Sequence, residues 1–389
     1  METSTKHILW LASWYPNPID PFDGDFVQRH AKAVSLHNPV TVFYVAQLGE
    51  TADAANTDKV TIQTNGQLTE QIFFFNYKKT GVKPIDKVLY NRAYIKAYKK
   101  AIKEYIQMNG LPSVVHVHVP MKAGLLAVWL KRKYNIPFVT TEHAAIYDEV
   151  VPDNFWKRNA WFRSMATIIF KQSSVVTAVS AALAKQLEIQ FKPRQVSVVY
   201  NVADTGLFFL PEKRPGQFRF IHVSTMTYQK NVEGLLKVFG RLRAIRDDWS
   251  VTMLGTDKQA LKDLAFAEGL DDCIDWKGVV AYPEVAKEMQ HSSSLVLFSR
   301  YENFPCVIVE ALCCGLPVIS TNVGGVSEAI DEANGILIES ESEDQLLEAM
   351  VQMLEEYDNY KREEIAAAAA AKFNYETVGK QFMTIYQQL

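Results

Sequence analysis

Short, continuously apolar segments alternate twice along this chain with segments of helical periodicity, and that rhythm constrains the fold more than any other feature. Lys6–Ser13 reads as a strand that runs into a polar, Pro-rich loop through Asp25, followed by a helix over Phe26–Leu36 and a strand over Val40–Val45. The alternation continues with a helix at Tyr90–Ile106, a strand at Val114–Val119, a helix at Lys122–Lys133, a strand at Phe138–Thr141, a helix at Asn154–Gln172 and a strand at Val175–Ala178. Strands that are apolar on both faces, with helices between them, belong in a parallel sheet covered on both sides. The rhythm breaks at Asn201–Gln217, where Leu210–Gly216 has linker composition, and restarts with strands at Phe218–Val223, Ser250–Leu254, Ile274–Trp276, Leu295–Ser299 and Val318–Ser320. Helices at Val232–Ala244, Lys258–Glu268, Tyr282–Met289 and Cys306–Cys314 separate these strands, and helical segments at Glu343–Glu356, Tyr360–Ala371 and Tyr375–Gln387 follow. The expectation is an α/β protein of two Rossmann-like, doubly wound parallel-sheet domains, residues 1–203 and 204–371, facing a central cleft. Residues 372–389 form a helix that returns to the first domain. Ligands of such sheets bind at the strand carboxyl ends.

Composition narrows the class. With 48% hydrophobic and 22% charged residues over 389 positions, the chain can bury real cores, and its apolar runs fall far short of the roughly 20 residues that span a bilayer. The opening residues carry no long apolar core with a cleavage site, and Cys273, Cys306, Cys313 and Cys314 lack zinc-type spacing. Reduced thiols in a cytoplasmic protein are expected. Charge is uneven: residues 1–200 hold 24 Lys and Arg against 15 Asp and Glu, and the remainder holds 17 against 29. Much of the positive charge lies in Lys78–Lys103, interleaved with Tyr90, Tyr94, Ile95, Tyr98 and Ile102, so an anionic membrane face is an expected partner, against the simpler reading of a solvated helix face. Nucleic acid is not expected, because no binding module accompanies the basic half and the acidic half repels phosphate.

The densest chemistry lies in Ser299–Ser320. Pro305 suits a helix start and Gly315 a left-handed helix stop, so the helix between them is bracketed by its own sequence. Its opening N–H groups, around Phe304–Val307, stand beside a strand end and form a site for phosphate. Glu302 precedes that start and Glu310 lies about five residues inside, roughly 7–8 Å along the axis. Carboxylates on either side of a diphosphate accept hydrogen bonds from sugar hydroxyls, which is the layout of a nucleotide sugar. The bland alternative is a capping Glu302 and a solvent-facing Glu310.

Glu302 and Glu310, spaced E-x7-E, together with Gly315-Leu316-Pro317-Val318 and Gly324-Gly325-Val326-Ser327-Glu328, closely resemble the donor-binding region of family 4 retaining glycosyltransferases, which have the GT-B fold. A looser resemblance extends to Gly24-Asp25-Phe26, His116-Val117-His118, Thr141-Glu142-His143, Val179-Ser180, Tyr200–Asp204 and Lys230-Asn231. The resemblance implies transfer of a sugar from a UDP- or GDP-sugar, with retention and without a metal or other cofactor, to a glycan or lipid-linked acceptor in cell-surface polysaccharide synthesis. It implies that Glu302 meets the donor sugar, Glu310 the ribose, and the backbone of Asn303, Phe304, Pro305, Cys306 and Val307 the sugar and diphosphate. The same resemblance implies that Lys230 neutralises the leaving group, that His143 contacts the donor sugar or acceptor, and that the loop Gly24, Asp25, Phe26 lies over the cleft. One departure stands out. Many members carry Gly-Arg five residues ahead of the Lys, where this chain has Ser224 and Thr225, so a basic residue such as Arg300 is expected to replace the missing cation beside the Thr225 hydroxyl.

Other readings are weaker on residues. Asp23-Gly24-Asp25 has D-x-D spacing but no supporting ligand set for a metal, and His116 and His118 share a strand face without a third ligand nearby in sequence. No G-x-G-x-x-G follows the first strand, and Gly379-Lys380-Gln381 lacks the rest of a P-loop. A nucleotide-sugar epimerase of the same fold and a non-catalytic nucleotide-sugar-binding protein are the alternatives.

Overall fold

The computed structural model describes residues 7–48, 60–212 and 216–389; the first six residues and Lys213–Pro215 of the expected linker lie outside them. Two compact units result. One holds the described residues up to Val179 with Ala184–Val199 and Tyr375–Leu389, and the other holds Ser180–Leu183 with Tyr200–Asn374.

The first unit is built from β1 (Ile8–Ala12), α1 (Asp25–Ser35), β2 (Val40–Gln47), β3 (Val60–Asn65), β4 (Leu68–Phe75), α2 (Lys83–Asn109), β5 (Val114–His118), α3 (Gly124–Tyr134), β6 (Phe138–Glu142), α4 (Ala160–Gln172), β7 (Val175–Ala178), α5 (Ala181–Phe191, whose first turn belongs to the second unit) and β8 (Val196–Val198). The strands form one sheet in the order β3-β4-β2-β1-β5-β6-β7-β8, parallel except for the β3–β4 hairpin. β1, β5, β6 and β7 are buried along their whole length, as the continuous apolar runs required. One face packs Leu9, Leu11, Val115 and Val117 against Tyr98, Ile102 and Tyr105 of α2 and Leu126 and Leu130 of α3. The single Tyr98 hydroxyl proton is shared between the carbonyls of Ala12, at the end of β1, and Phe43, within β2.

The sequence reading names neither strand of the hairpin, and it also passes over α5, β8 and the later strand Gly335–Ile338. All six residues of β3 are exposed and polar-rich, so no apolar run marks them, yet the two-residue Gly66-Gln67 turn, with Gly66 at φ +58°, carried a local signal. The expected helix over Asn154–Gln172 is a single 3-10 turn at Phe155–Lys157 followed by α4, because Asn159 caps a fresh start by accepting the Phe162 N–H at 3.0 Å.

The second unit contains β9 (Phe218–Ser224), α6 (Val232–Arg243), β10 (Trp249–Gly255), α7 (Gln259–Ala267), β11 (Ile274–Gly278), α8 (Tyr282–Gln290), β12 (Ser294–Leu297), α9 (Cys306–Cys313), β13 (Val318–Thr321), β14 (Gly335–Ile338), α10 (Glu343–Glu356) and α11 (Arg362–Phe373). Its sheet runs β11-β10-β9-β12-β13-β14, all parallel. Phe220, Val251 and Met253 face Leu235, Val238 and Phe239 of α6, with Trp249 stacked on Phe239 at 5.2 Å. All four cysteines are free thiols.

The last helix, α12 (Tyr375–Gln387), belongs to the first unit and packs on α1. Its Gly379 lies so close to α1 that a Cβ would stand 2.2 Å from the Ala33 carbonyl oxygen. Gly379→Ala must therefore push the helices apart, and its melting temperature is expected to fall by an amount equivalent to about 1–3 kcal/mol in thermal unfolding.

Candidate functional site

The segment between β12 and α9 is held in place from every side. Ser299, expected at the end of the strand, lies beyond it, buried, with its carbonyl accepting from the Thr321 hydroxyl at 2.7 Å. Arg300 N–H donates to the Gln229 carbonyl at 2.8 Å, and the Gln229 amide donates to the Tyr301 carbonyl at 2.9 Å. Gly324 and Gly325 close on the segment from the far side. A Cβ on Gly324 would stand 1.9 Å from the Glu302 carbonyl oxygen, and the Gly325 N–H donates to the Asn303 carbonyl at 2.7 Å. The Asn201 amide holds the Phe304 carbonyl at 2.7 Å, and the Tyr200 ring lies 4.8 Å from that of Phe304. The Glu328 carboxylate accepts the N–H groups of Ala181 and Ala182 at 2.7 and 2.9 Å.

Within this frame Glu302 is 7% exposed and its carboxylate faces three donors. Oε1 pairs with the Lys230 ammonium and accepts from the Ser299 hydroxyl at 2.8 Å, while Oε2 accepts from the Gln229 amide at 3.1 Å. Lys230 sits at the end of a 3-10 turn, Tyr228–Lys230, just ahead of α6. A buried pair of this kind costs desolvation of both ions and survives because the remaining acceptor positions are filled. Pro305 does not enter the first turn as expected: it is the extended residue before Cys306, so α9 opens at Cys306 and its first-turn amides point out of the helix start. Glu310 is 2% exposed, within the helix, and accepts from the Tyr282 hydroxyl at 2.7 Å. It is not the solvent-facing residue of the bland alternative.

Arg300, expected to replace the missing cation, is committed elsewhere. Its guanidinium donates to Glu341 at 2.8 Å and to the Tyr228 carbonyl at 2.6 Å, and lies 4.2 Å above the Tyr228 ring. Thr225 is exposed in the loop after β9. The cation that reaches this loop is Lys258, at the residue preceding α7, whose ammonium donates to the Met226 carbonyl. No sequence pattern singled it out, since the approach comes across the sheet from β10. His222 supports the same loop from below: its ring bonds the Val296 carbonyl at 2.9 Å and the Ser224 hydroxyl at 2.8 Å, and Ser224 in turn accepts the Met226 N–H at 3.0 Å. Ser224, where the family resemblance led to the expectation of a glycine, is thus a working link.

In the first unit, Gly24 caps α1 at φ +63°, and a Cβ there would lie 2.5 Å from the Trp14 backbone carbon. Asp25 pairs with Arg29 at 3.2 Å whereas Asp23 accepts from the Tyr44 hydroxyl at 2.9 Å, so the two carboxylates face different partners. The Phe26 ring lies 4.6 Å from that of His143. His143 joins His30 and His118, with one ring nitrogen of each within 4.8 Å of the others, the set of described side chains able to hold a metal. His118 and His143 share a 3.2 Å hydrogen bond, His118 stacks on Trp10 at 4.1 Å, and His116 bonds Tyr386 and Thr141 at 2.5 and 2.6 Å. The preceding residue, Glu142, accepts from the backbone of His143 and Ala144 and from the Tyr147 hydroxyl at 2.6 Å, which shapes the turn carrying His143.

Burial decides the protonation of these groups. It holds His116, His118 and His143 well below the ordinary imidazole value and brings His222 down to about 4, so all four are neutral near pH 7. It pushes the Glu142 carboxyl up to about 7 against the pull of its donors. The folded histidines bind fewer protons than the unfolded chain below pH about 6.5, so their contribution is lost on acidification, whereas that of Glu142 is present in acid and lost as pH rises through about 7. Four groups oppose one. The melting temperature is therefore expected to fall between about pH 6.5 and 4, with His222 alone supplying roughly 3 kcal/mol of the loss. Gly324→Ala is expected to displace the Glu302 loop and lower nucleotide-diphosphate binding, read by calorimetry, more than it lowers the melting temperature.

Similarity to known proteins enters on this geometry. The profile described as Glycosyltransferase Family 4 matches residues 40–207, and that described as Glycosyl transferases group 1 matches residues 207–372. An uncharacterized glycosyltransferase of Methanocaldococcus jannaschii is 29% identical over 301 residues, covering 76% of this chain and 80% of the relative. Sucrose-phosphate synthase of Thermosynechococcus elongatus superposes with a TM-score of 0.79 at 17% identity, over 98% of this chain and 99% of its own. HepE of Anabaena, solved with UDP, superposes at 0.73 and 17%, over 98% and 100%. These likenesses establish the GT-B architecture of paired parallel-sheet domains.

Proposed function

Because the chain belongs to the family 4 glycosyltransferases, we propose that it transfers a sugar from a UDP- or GDP-sugar with retention of configuration, without a metal, to a glycan or lipid-linked acceptor in cell-surface polysaccharide synthesis. The observation that carries this reading is the buried Glu302 carboxylate, held by Lys230, Ser299 and Gln229 one turn from the open start of α9. HepE was solved with UDP, which supports a nucleotide donor here.

In this reading the donor diphosphate lies on the backbone of Asn303–Val307, and its oxygens draw Lys230 away from Glu302, freeing Glu302 to accept from sugar hydroxyls. Glu310 takes the ribose hydroxyls. The bond between the anomeric carbon and the diphosphate oxygen breaks, the acceptor oxygen bonds to that carbon on the same face, and the acceptor proton passes to the departing phosphate oxygen. Negative charge grows where the α9 amides and Lys230 are already fixed. Lys258 supplies the second cation that Thr225 lacks, within reach of the same loop. His143, neutral by burial, and the Gly24–Phe26 loop serve the acceptor. The basic face of α2 brings the enzyme to the cytoplasmic face of an anionic membrane as a peripheral protein. Among the described residues no helix is long and apolar enough to cross one.

Glu302→Gln is expected to lower kcat at least roughly tenfold at saturating donor. Lys258→Gln is expected to lower kcat/KM for the donor by roughly tenfold or more, whereas Arg300→Gln leaves it within about twofold. EDTA is expected to leave turnover unchanged. Donor-turnover assays with a panel of UDP- and GDP-sugars read all three, and full activity of Glu302→Gln contradicts the assignment.

A further inference from the structure

Helix α2 has two faces of opposite character. Tyr94, Tyr98, Ala101, Ile102 and Tyr105 are buried in the core. The other face borders a groove of about 1080 Å³, at the upper end of the size range of ligand sites, whose remaining wall is Asn159 and Trp161 at the start of α4. Pro84, Val88, Ile95 and Trp161 give the groove an apolar lining, and Val88 and Trp161 are 55% and 47% exposed. Six cations line it: Lys87, Arg92, Lys96, Lys99, Lys100 and Lys103, with no carboxylate among the lining residues.

That charge arrangement is costly on its own. Arg92 and Lys96, and Lys99 and Lys103, are like-charged pairs four residues apart, a spacing that destabilises a helix. A solvated helix face gains by interspersing acids, as this chain does with Lys380 and Glu376 in α12, 2.9 Å apart. An anion in the groove removes the repulsion, and the apolar lining requires that the anion carry a hydrocarbon part. Nucleic acid fits poorly, because a strand without aromatic partners for successive bases loses its stacking energy, and here a single indole faces aliphatic side chains.

We propose that this groove is a binding site for one phosphorylated lipid, with its hydrocarbon chain along Val88, Ile95 and Trp161 and its phosphate held by Arg92 and Lys96. The site recognises individual lipid molecules, as distinct from the electrostatic adsorption of a flat surface, and it gives the enzyme a hold on a lipid-linked acceptor. In that respect it rests on the acceptor reading above. Its test reads binding and not transfer, so the two fail separately.

The probe is dihexanoyl phosphatidic acid below its micelle concentration, titrated calorimetrically into the full-length protein alongside dihexanoyl phosphatidylcholine and inorganic phosphate. The anionic lipid is expected to bind at least roughly tenfold more tightly than either comparator and to weaken in about 0.5 M salt. Arg92→Gln with Lys96→Gln is expected to weaken it roughly twenty-five-fold, about fivefold for each cation, and Trp161→Gln at least roughly fivefold. These are surface positions, and unchanged UDP binding by each variant shows that the fold and the donor site are intact. Equal affinity for inorganic phosphate overturns the proposal. So does binding to vesicles rich in phosphatidylglycerol without binding of the monomeric lipid, which marks simple membrane adsorption. Loss of bound lipid to an acidic peptide at lower concentration overturns it as well, in favour of a protein partner.

Discussion

A carboxylate buried beside a helix start cannot stay charged without donors, and the second unit is organised around meeting that requirement for Glu302. Lys230, Ser299 and Gln229 supply the donors: Gln229 and Lys230 from one 3-10 turn in the connection after β9, and Ser299 from the connection after β12. The backbone that carries Glu302 is fixed as tightly as its side chain. Gly324 and Gly325 press on the carbonyls of residues 302 and 303, leaving no room for a side chain at either glycine. A preorganised carboxylate and ammonium at the open end of α9 are what a reaction with a diphosphate leaving group needs, since the dipoles are in place before charge develops. The pair is also self-neutralising until a stronger anion arrives, which keeps a buried lysine from standing uncompensated.

Much of this was legible in the sequence because the sheets are parallel. β1 and the Leu295–Leu297 part of β12 are buried on both faces and read as unbroken apolar runs, and the bracket of Pro305 and Gly315 marks α9 by backbone chemistry alone, with Gly315 at φ +70°. β3 was not legible because an exposed edge strand needs no apolar residues, whereas β4, with Leu68, Ile72 and Phe75 buried, carried an apolar signal that the reading passed over. Lys258 and His222 escaped for a different reason. Their roles come from neighbouring strands, β10 beside β9 and β12 beside β9, and adjacency in a sheet is a property of topology that spacing along the chain does not encode. Arg300 was the natural substitute for the missing cation by proximity in sequence, yet Glu341 and the Tyr228 ring claim it.

The first unit solves another problem, the burial of many imidazoles. His116 and His118 share a strand face and are wrapped by Trp10, Phe382 and Tyr386, so burial among aromatic rings keeps them neutral; both nitrogens of His116 and the Nδ1 of His118 take hydrogen bonds. The sequence showed the pair on β5 but not His30, which comes from α1 and completes the set with His143. The loop of Gly24 is set by the same economy of space, as its left-handed residue lies against the Trp14 backbone.

The most direct test of the account is a crystal structure of the protein with a bound nucleoside diphosphate. The account predicts the phosphates on the backbone of residues 303–307, with the Lys230 ammonium moved from Glu302 to a phosphate oxygen. Phosphates bound elsewhere on the second unit, with the Lys230–Glu302 pair unbroken, contradict it.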